Sequence, residues 1–255
     1  MNFMKRAVDR VFNPKEYRDA GARGERLMYL ELTGFFFGMF DKSQVIRNIY
    51  IKKRDGKFTE IDLLIVSRKG VIVIESKNYA GWIYGDGERP TWLQTLPTGM
   101  KNKFYNPIKQ NRGHIRAVSE FLEDAGFLGV NYHSLIVFSE HCEFKGVTDI
   151  PEDIHLVKRG ELSASIARIF KKQKDCLTKA QRDEIIRILT AHSRPDDDVK
   201  EQHISDVKEM LERHATTCPR CKSPLIEHKN KYTGKPFYGC TKYPKCRFTR
   251  KKTSS

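Results

Sequence analysis

The pattern of apolar and polar positions is clearest in the middle of the chain, where two apolar runs, residues 61–66 and 71–74, flank the polar stretch 67–70. Both runs are rich in β-branched residues and the stretch between them ends in glycine, which is typical of a β-hairpin. If these four residues form the loop, Val66 faces Val71. Because the positions on both faces of the strands are apolar, the hairpin is predicted to be buried.

The same kind of pattern predicts the elements around the hairpin. They are a helix over 19–32, a strand over 45–51, a helix over 106–125 with Pro107 in its first turn, strands over 134–138 and 154–157, and helices over 162–170 and 180–192. Residues 82–92 are instead rich in glycine and proline.

Three charged residues lie where the hairpin should be buried. Continuing the register sets Asp62 opposite Glu75, with Cβ atoms roughly 5 Å apart, and Lys77 points the same way about 6.6 Å further along its strand. Opposed buried carboxylates stay ionised near neutral pH only if a cation lies between them. Mg²⁺ fits, because it binds one or two carboxylates and keeps waters for a phosphate substrate.

Lys77 would then orient or deprotonate a metal-bound water for attack on phosphorus. The alternative is a structural ion pair of Lys77 with Glu75 or Glu60 at the end of the sheet.

Two further groups of residues have alternative interpretations. Aromatic residues and lysines are mixed after the hairpin, and they either stack on bases and hold phosphates or pack against the hairpin. These residues are Trp82, Tyr84, Trp92, Phe104, Tyr105, Lys101, Lys103 and Lys109. The scattered histidines are interpreted as ordinary surface or packed residues: His114, His133, His141 and His155.

Four blocks in this order make residues 19–125 resemble the nuclease-related domain (NERD) family of the restriction-endonuclease-like PD-(D/E)xK superfamily. The blocks are Gly-Ala-Arg-Gly-Glu at 21–25, Glu-Ile-Asp at 60–62, Gly-Val at 70–71 with Ile-Glu-Ser-Lys-Asn-Tyr-Ala-Gly at 74–81, and Asn-Pro-Ile-Lys-Gln-Asn at 106–111. The resemblance implies an α/β fold with a mixed central sheet flanked by helices. It also implies that residues 82–92 form a variable excursion from the core.

The resemblance also implies roles for five residues. Asp62 and Glu75 would be the principal ligands of Mg²⁺ or Mn²⁺, and Glu25, on the first helix, would help to form the metal site directly or through water. Lys77 would be the catalytic lysine. Gln110 would lie at the edge of the site, in the first turn of its helix.

Charge and composition indicate the partner. The chain has 47 basic and 32 acidic residues, a formal net charge of +15, which favours nucleic acid first and anionic membrane second. No apolar run has the length needed to span a bilayer. The protein is therefore expected to be soluble and cytoplasmic, associated with the nucleoid, and not to bind membranes.

A composition break near residues 193–198 suggests a domain boundary. The predicted organisation is a basic N-terminal segment over 1–18, a nuclease-like domain over 19–194, a helical linker over 195–215 and a zinc finger over 216–252.

Four cysteines near the C-terminus have the spacing of a zinc site. Cys218 and Cys221 form one knuckle, and Cys240 follows after eighteen residues and Cys246 after five more. Four thiolates suit one structural Zn²⁺ and leave no open position for catalysis. The pattern, with Phe-Tyr-Gly-Cys at 237–240, resembles the C4 zinc ribbon of bacterial type I topoisomerases.

Cations interleaved with aromatic rings in this module suit phosphates and unpaired bases of single-stranded or branched DNA, although some rings must form the module's core. The candidate nucleic-acid-binding residues are Arg220, Lys222, Lys235, Tyr238, Lys242, Tyr243, Lys245, Arg247 and Arg250. The sequence as a whole predicts a Mg²⁺-dependent deoxyribonuclease tethered to DNA by its zinc ribbon and acting in DNA processing or repair. The alternatives are a DNA-binding or adaptor protein with an inactive nuclease-like domain, and an RNA nuclease.

Overall fold

A computed structural model describes residues 20–35, 44–193, 198–199, 201–203, 205–206 and 216–251. The chain forms two compact units, Met1–Asp196 and Asp197–Ser255. The predicted basic segment over 1–18 lies outside the described residues, as does most of the predicted linker over 195–215. No helix among the described residues is long and apolar enough to cross a membrane.

The first unit contains four α-helices and nine β-strands among its described residues. They are, in chain order, α1 (Ala20–Phe35), β1 (Gln44–Lys52), β2 (Phe58–Ser67), β3 (Gly70–Lys77), β4 (Gly81–Asp86), β5 (Thr91–Thr95), β6 (Lys101–Tyr105), α2 (Pro107–Asp124), β7 (Tyr132–Phe138), β8 (Cys142–Thr148), β9 (Ile154–Lys158), α3 (Leu162–Lys172) and α4 (Lys179–Ala191).

The central sheet has five strands in the order β1-β2-β3-β7-β9. Strands β1 to β3 are antiparallel, whereas β3, β7 and β9 are parallel. Helices α1 and α3 pack on one face, through Met28 and Ile166, and helices α2 and α4 pack on the other, through Val118 and Ile185. The predicted mixed α/β fold, with helices on both sides of the sheet, is confirmed.

The hairpin at the centre of this sheet has the predicted register but a shorter loop. Val66 pairs with Val71 and the ladder reaches Leu63 and Ile74, but Ser67 and Gly70 also pair. The loop is therefore two residues long and not four. Gly70 has φ +125°, and a Cβ there would lie 2.3 Å from the Asn131 carbonyl oxygen, so only glycine fits this position.

Pairing and side-chain alternation both break at Asp62. The β1–β2 ladder pairs residues on either side of it but leaves Asp62 unpaired, and Ile61 and Leu64 share one core cluster although they are three positions apart. On β1, Asn48 has φ +51° at the corresponding position. Strict alternation would set Asp62 directly opposite Glu75. The β2–β3 ladder instead ends at the Leu63–Ile74 pair, one residue before Asp62.

A second sheet, of four strands in the order β6-β5-β4-β8, occupies the glycine- and proline-rich region. The expectation of a variable excursion over 82–92 misses two of these strands, β4 and β5. Strand β4 pairs in parallel with β8, which lies far along the chain. Ile83 and Trp92 pack from this sheet against Phe138 of the central sheet.

The second unit is a small antiparallel sheet with strands β10 (Leu225–Lys229), β11 (Pro236–Cys240) and β12 (Thr249–Lys251). The hydrophobic core of its described part is formed by Cys218, Leu225 and Cys240, with Tyr238 and Phe248 packed against them. With so little apolar area to bury, a module of this size needs a metal or another cross-link to fold.

Candidate functional site

Glu75 is the buried centre of the candidate catalytic site. Its residue is 1% exposed, and its Oε1 lies 2.6 Å from Lys77 Nζ. Its Oε2 lies 3.2 Å from His114 Nδ1, without the alignment of a hydrogen bond, so this buried oxygen has no hydrogen-bond partner in the described structure. His114 Nδ1 also has no aligned partner among the described residues, so two buried polar atoms face each other here, and either an Nδ1–H donor or a cation would satisfy the carboxylate oxygen.

Asp62 lies next to the same stretch of β3. Its Oδ2 accepts a hydrogen bond from the Ser76 backbone N–H at 2.7 Å. Burial raises the pKa of Asp62 well above its ordinary value, and the negative charges of Glu75 and Glu25 raise it further. The carboxyl groups of Asp62, Glu75 and Glu25 are therefore close enough for their negative charges to repel one another, and a dication would relieve this repulsion.

Lys77 and Glu75 are a buried, mutually stabilising ion pair. Burial by itself would raise the pKa of Glu75, but Lys77 and His114 outweigh it, so the pKa lies below its ordinary value. Burial would lower the pKa of Lys77, but the Glu75 carboxylate outweighs it and raises the pKa. Near neutral pH the pair is therefore a carboxylate and an ammonium. The Lys77–Glu75 ion pair that the sequence left as an alternative is present.

Gln110 is a second partner of the Lys77 ammonium. Its Oε1 accepts a hydrogen bond from Lys77 Nζ at 3.0 Å, and it lies in the first turn of α2, as the sequence predicted. Asn106 caps that helix by accepting from the Ile108 N–H at 2.9 Å. The Asn106 amide also donates to the carbonyl oxygens of Asp86 and Arg89 at 3.0 and 2.7 Å. The start of α2, and with it Gln110, is thereby fixed against the second sheet.

His114, which the sequence analysis interpreted as an ordinary surface or packed histidine, lies at the candidate site. It follows Gln110 by four positions on α2, is buried and faces Glu75 Oε2. The signal was present in the spacing, since residues four apart lie on one face of a helix. Asn111, also buried, clamps the same face of α2 to the sheet by donating to the Val73 carbonyl oxygen at 3.0 Å and to Ser134 Oγ at 2.8 Å.

Glu25 approaches the site from the opposite helix layer. It is half-buried on α1, close enough for its charge to raise the pKa of Asp62. One turn of α1 lies directly against β3, since a Cβ on Gly24 would lie 3.0 Å from Asn78 Cβ. A small, open cleft lies here beside Lys77, lined also by Asn78 and Arg159.

The five residues predicted for catalysis thus lie around one end of the central sheet, on α1, β2, β3 and α2. Asp62, Glu75 and Glu25 offer the oxygen ligands that Mg²⁺ and Mn²⁺ prefer. The residues present fit a hard dication, since one buried carboxylate oxygen has no aligned hydrogen-bond partner in the described part of the chain and a neighbouring carboxyl has a raised pKa.

The four predicted zinc ligands converge in the second unit. The sulfur atoms of Cys218, Cys221, Cys240 and Cys246 all lie within 4.8 Å of one another. The Cys218 and Cys246 sulfurs are 3.6 Å apart and those of Cys221 and Cys240 are 3.3 Å apart. Such a cluster is consistent with a closed, tetrahedral, structural zinc site.

The candidate nucleic-acid-binding residues of this unit are mostly exposed. Tyr243 is 72% exposed, whereas Tyr238 is half-buried against the small core. The Arg250 guanidinium lies over the Phe248 ring, 5.8 Å from its centroid. The remaining candidates are exposed: Arg220, Lys222, Lys235, Lys242, Lys245 and Arg247.

Comparison with protein families identifies both units. Residues 20–139 match the model of the nuclease-related domain family, NERD. Residues 215–255 match the model of the topoisomerase DNA-binding C4 zinc finger. Both resemblances stated from the sequence are confirmed.

Two curated relatives are similar over part of the chain. An uncharacterized protein of Bacillus anthracis is 28% identical over 160 residues, which are 63% of this chain and 72% of the relative. A polyphosphate kinase of an Exiguobacterium species is 30% identical over 132 residues, which are 44% of this chain but only 18% of that kinase. No solved structure matches the chain at a significant level.

Proposed function

We propose that this chain, which carries a nuclease-related domain followed by a topoisomerase-type C4 zinc finger, is a metal-dependent nuclease that hydrolyses DNA phosphodiester bonds. The observation that carries this proposal is the buried Glu75 carboxylate, which is paired with Lys77 on one oxygen and has no aligned hydrogen-bond partner on the other among the described residues, where His114 Nδ1 lies 3.2 Å away. Asp62 adds a second carboxyl. A buried acidic pair with an adjacent ammonium suits phosphoryl chemistry better than it suits stability alone.

Asp62 and Glu75 would hold Mg²⁺ or Mn²⁺, with Glu25 contributing directly or through water. The ion, when bound, would supply Lewis-acid activation of the attacking water and neutralise charge on the phosphate. The Lys77 ammonium would contact the phosphate and stabilise the negative charge that develops as the P–O bond breaks. Gln110 would hold that ammonium in place through its 3.0 Å hydrogen bond.

His114 would act as a positioning residue. It lies against the Glu75 oxygen that faces away from Lys77, so it limits the orientations that the carboxylate can adopt. Partners of this kind typically change metal affinity or activity by about 10- to 100-fold when removed.

The zinc finger would hold the enzyme on DNA. Residues 218–255 contain eleven Lys or Arg and one acid, Glu227, so phosphate contacts would give binding that is sensitive to salt and largely independent of base sequence. We place the boundary between the two domains near residue 194, with a helical linker over 195–215, and we place the protein on the nucleoid in the cytoplasm.

The test is a cleavage assay with Mg²⁺ or Mn²⁺ on single-stranded, double-stranded and branched DNA, with the Lys77→Ala variant beside the wild type. We expect the wild type to cut only with the metal ion. The variant should bind DNA nearly as well, because the zinc finger would supply most of the phosphate contacts. It should cut roughly 10²- to 10³-fold more slowly, the range typical of losing one group that stabilises transition-state charge. Wild type that cuts no form of DNA or RNA would refute the proposal.

A second candidate is a non-catalytic DNA-binding protein. The observation that favours it is the close Lys77–Glu75 ion pair, which satisfies one carboxylate oxygen without any metal ion. In that case the DNA-binding finger would work alone, and divalent ions would leave the first domain unchanged. Competition between ribo- and deoxyribo-oligonucleotides would distinguish the third candidate, an RNA nuclease.

A further inference from the structure

The second sheet separates its aromatic residues between two faces. Trp92 points inward, where it stacks near Phe138 and is 1% exposed. Ile83 is also in that inner cluster. Because side chains alternate along a strand, Trp82 and Tyr84, the neighbours of Ile83 on β4, point to the opposite face, and Trp82 is 44% exposed.

The cross-strand register sets lysines in line with these rings. Trp82 pairs with Thr95 of β5, which pairs with Lys101 of β6. In the next row on the same face, Tyr84 pairs with Leu93, and Leu93 pairs with Lys103. The backbone of each aromatic residue therefore lies about 10 Å, two strand spacings, from that of an exposed lysine at the edge of the sheet.

The other charges on this face nearly cancel. Lys145 of β8 lies 2.8 Å from Glu143, and Glu143 is the β8 partner of Trp82. Lys101 and Lys103 are both exposed and leave the face with a net positive charge. In the described part of the chain, no core cluster includes Trp82, Tyr84 or Leu93.

We propose that this outer face, formed by Trp82, Tyr84, Lys101 and Lys103, is a binding platform for single-stranded DNA. The rings would stack on unpaired bases and the two lysines would contact the phosphates. Stacking needs an unpaired base whose π-face is accessible, which favours a single strand over a duplex. The charge and the aromatic residues of the face both fit that polyanion.

The strand that carries Trp82 and Tyr84 starts close to the candidate catalytic site. Strand β4 begins four residues after Lys77, and its first residue, Gly81, donates to the His141 carbonyl oxygen at 2.9 Å. The Lys77 carbonyl oxygen in turn accepts from the Ser139 N–H at 3.1 Å. The inference rests on the proposed function. The DNA strand bound by the platform would be the strand that the nuclease cuts, so we expect unpaired DNA to be the preferred substrate.

Tryptophan fluorescence reports this platform selectively. The chain has two tryptophans, Trp82 on the platform and the buried Trp92, and neither lies in the zinc finger. We would titrate the zinc-loaded full chain with a short oligothymidylate, in buffer without other divalent ions so that nothing is cut. The expected result is quenching that saturates with binding.

Variants separate stacking from charge. Trp82→Ala should abolish the quenching and weaken binding of the oligonucleotide by roughly tenfold, within the range for one stacked base. Trp82→Phe should abolish the quenching but keep most of the affinity. The Lys101→Ala/Lys103→Ala double variant should reduce the slope of log affinity against log salt by about 1.4.

Matched controls change exposed residues elsewhere in the same domain. Leu128→Ala removes an apolar side chain that is 76% exposed, and Lys171→Ala/Lys172→Ala removes two exposed charges on α3. Both should leave quenching, affinity and salt slope unchanged.

The outcomes for the platform and for the nuclease are distinct. Metal-dependent cleavage without quenching of Trp82 would overturn the platform and leave the proposed nuclease intact. Saturable quenching by a chain that never cuts would support the platform and count against the nuclease. Equal quenching by duplex and single-stranded DNA would also overturn the platform as stated.

Discussion

Replacing Glu75 by glutamine should destabilise the metal-free protein, although glutamine has nearly the same shape. The change removes the negative charge 2.6 Å from the buried Lys77 ammonium. Breaking a buried ion pair by removing one partner typically costs about 3–5 kcal/mol. Lys77 keeps its hydrogen bond to Gln110 at 3.0 Å, so we expect the lower end, about 3 kcal/mol. In a domain of this size that lowers Tm by about 6–12 °C.

Asp62→Asn provides the matched control with the opposite expectation. Burial and two neighbouring carboxylates raise the pKa of Asp62, so its charge opposes folding when no metal ion is present. Asparagine keeps an oxygen that can accept from the Ser76 N–H, which Asp62 accepts at 2.7 Å. Asp62→Asn should therefore leave the metal-free stability equal or higher, while both substitutions remove a proposed metal ligand.

The assay is thermal and urea unfolding followed by tryptophan fluorescence. Both tryptophans, Trp82 and Trp92, lie in the first domain, so the signal is independent of the zinc finger. Free divalent ions are removed with a resin that leaves the finger's zinc bound. Mg²⁺ at ten times its dissociation constant should stabilise the wild type by about 1.4 kcal/mol and should stabilise neither variant. Equal destabilisation by Glu75→Gln and Asp62→Asn would refute the electrostatic account of the pocket.

Three further predictions concern the positioning residue, pH and zinc. His114→Ala should fold and should lower metal affinity or activity by about 10- to 100-fold, measured as the Mg²⁺ dependence of cleavage, and an unchanged dependence would exclude the positioning role. The pKa of Asp62 in the folded protein is raised above its unfolded value of about 3.9, so protonation of Asp62 stabilises the metal-free protein. This stabilisation is complete below about pH 4 and is lost as pH rises through the folded pKa. Urea unfolding across this range should show that loss in the wild type but not in Asp62→Asn. Cys221→Ser should release zinc and weaken DNA binding, measured by metal analysis and fluorescence anisotropy, with no change in tryptophan-detected unfolding, and retained zinc would contradict the four-cysteine site.

The sequence predicted the elements whose signals are local. Alternating and continuous apolar runs gave the central hairpin with Val66 opposite Val71, as observed. The asparagine–proline pair at 106–107 correctly predicted the start of α2 and the position of Gln110 in its first turn. The spacing of four cysteines predicted the cysteine cluster. In each case the residues that determine the structure are close in sequence or are fixed by ligand chemistry.

The sequence did not predict features that depend on distant partners. Strand β4 is short and contains glycine, and its parallel partner β8 begins more than fifty residues later. No local sequence pattern therefore predicts β4 or its pairing with β8. For the same reason the sequence could not separate Trp82 from Trp92, since only the packing of the second sheet on Phe138 decides which ring is buried. His114 was missed because its role depends on which face of α2 meets Glu75.

The break in alternation at Asp62 is a third such feature. A strict period of two placed Asp62 directly opposite Glu75, but Asn48 of the neighbouring strand has φ +51° and the ladder is interrupted there. Asp62 instead binds the backbone of Ser76. The left-handed backbone of Asn48 and the unpaired Asp62 thus occur at the same position of the β1–β2 ladder, and the residues that form the site are still those that the sequence predicted.

The central claim is that this pocket captures a hard dication. Isothermal titration calorimetry of Mn²⁺ into the zinc-loaded, otherwise divalent-free protein tests it most directly, with Asp62→Asn as the comparison. We predict saturable uptake by the wild type that is lost in the variant. Absence of Mn²⁺ and Mg²⁺ binding by the wild type, or binding that Asp62→Asn leaves unchanged, would contradict the claim.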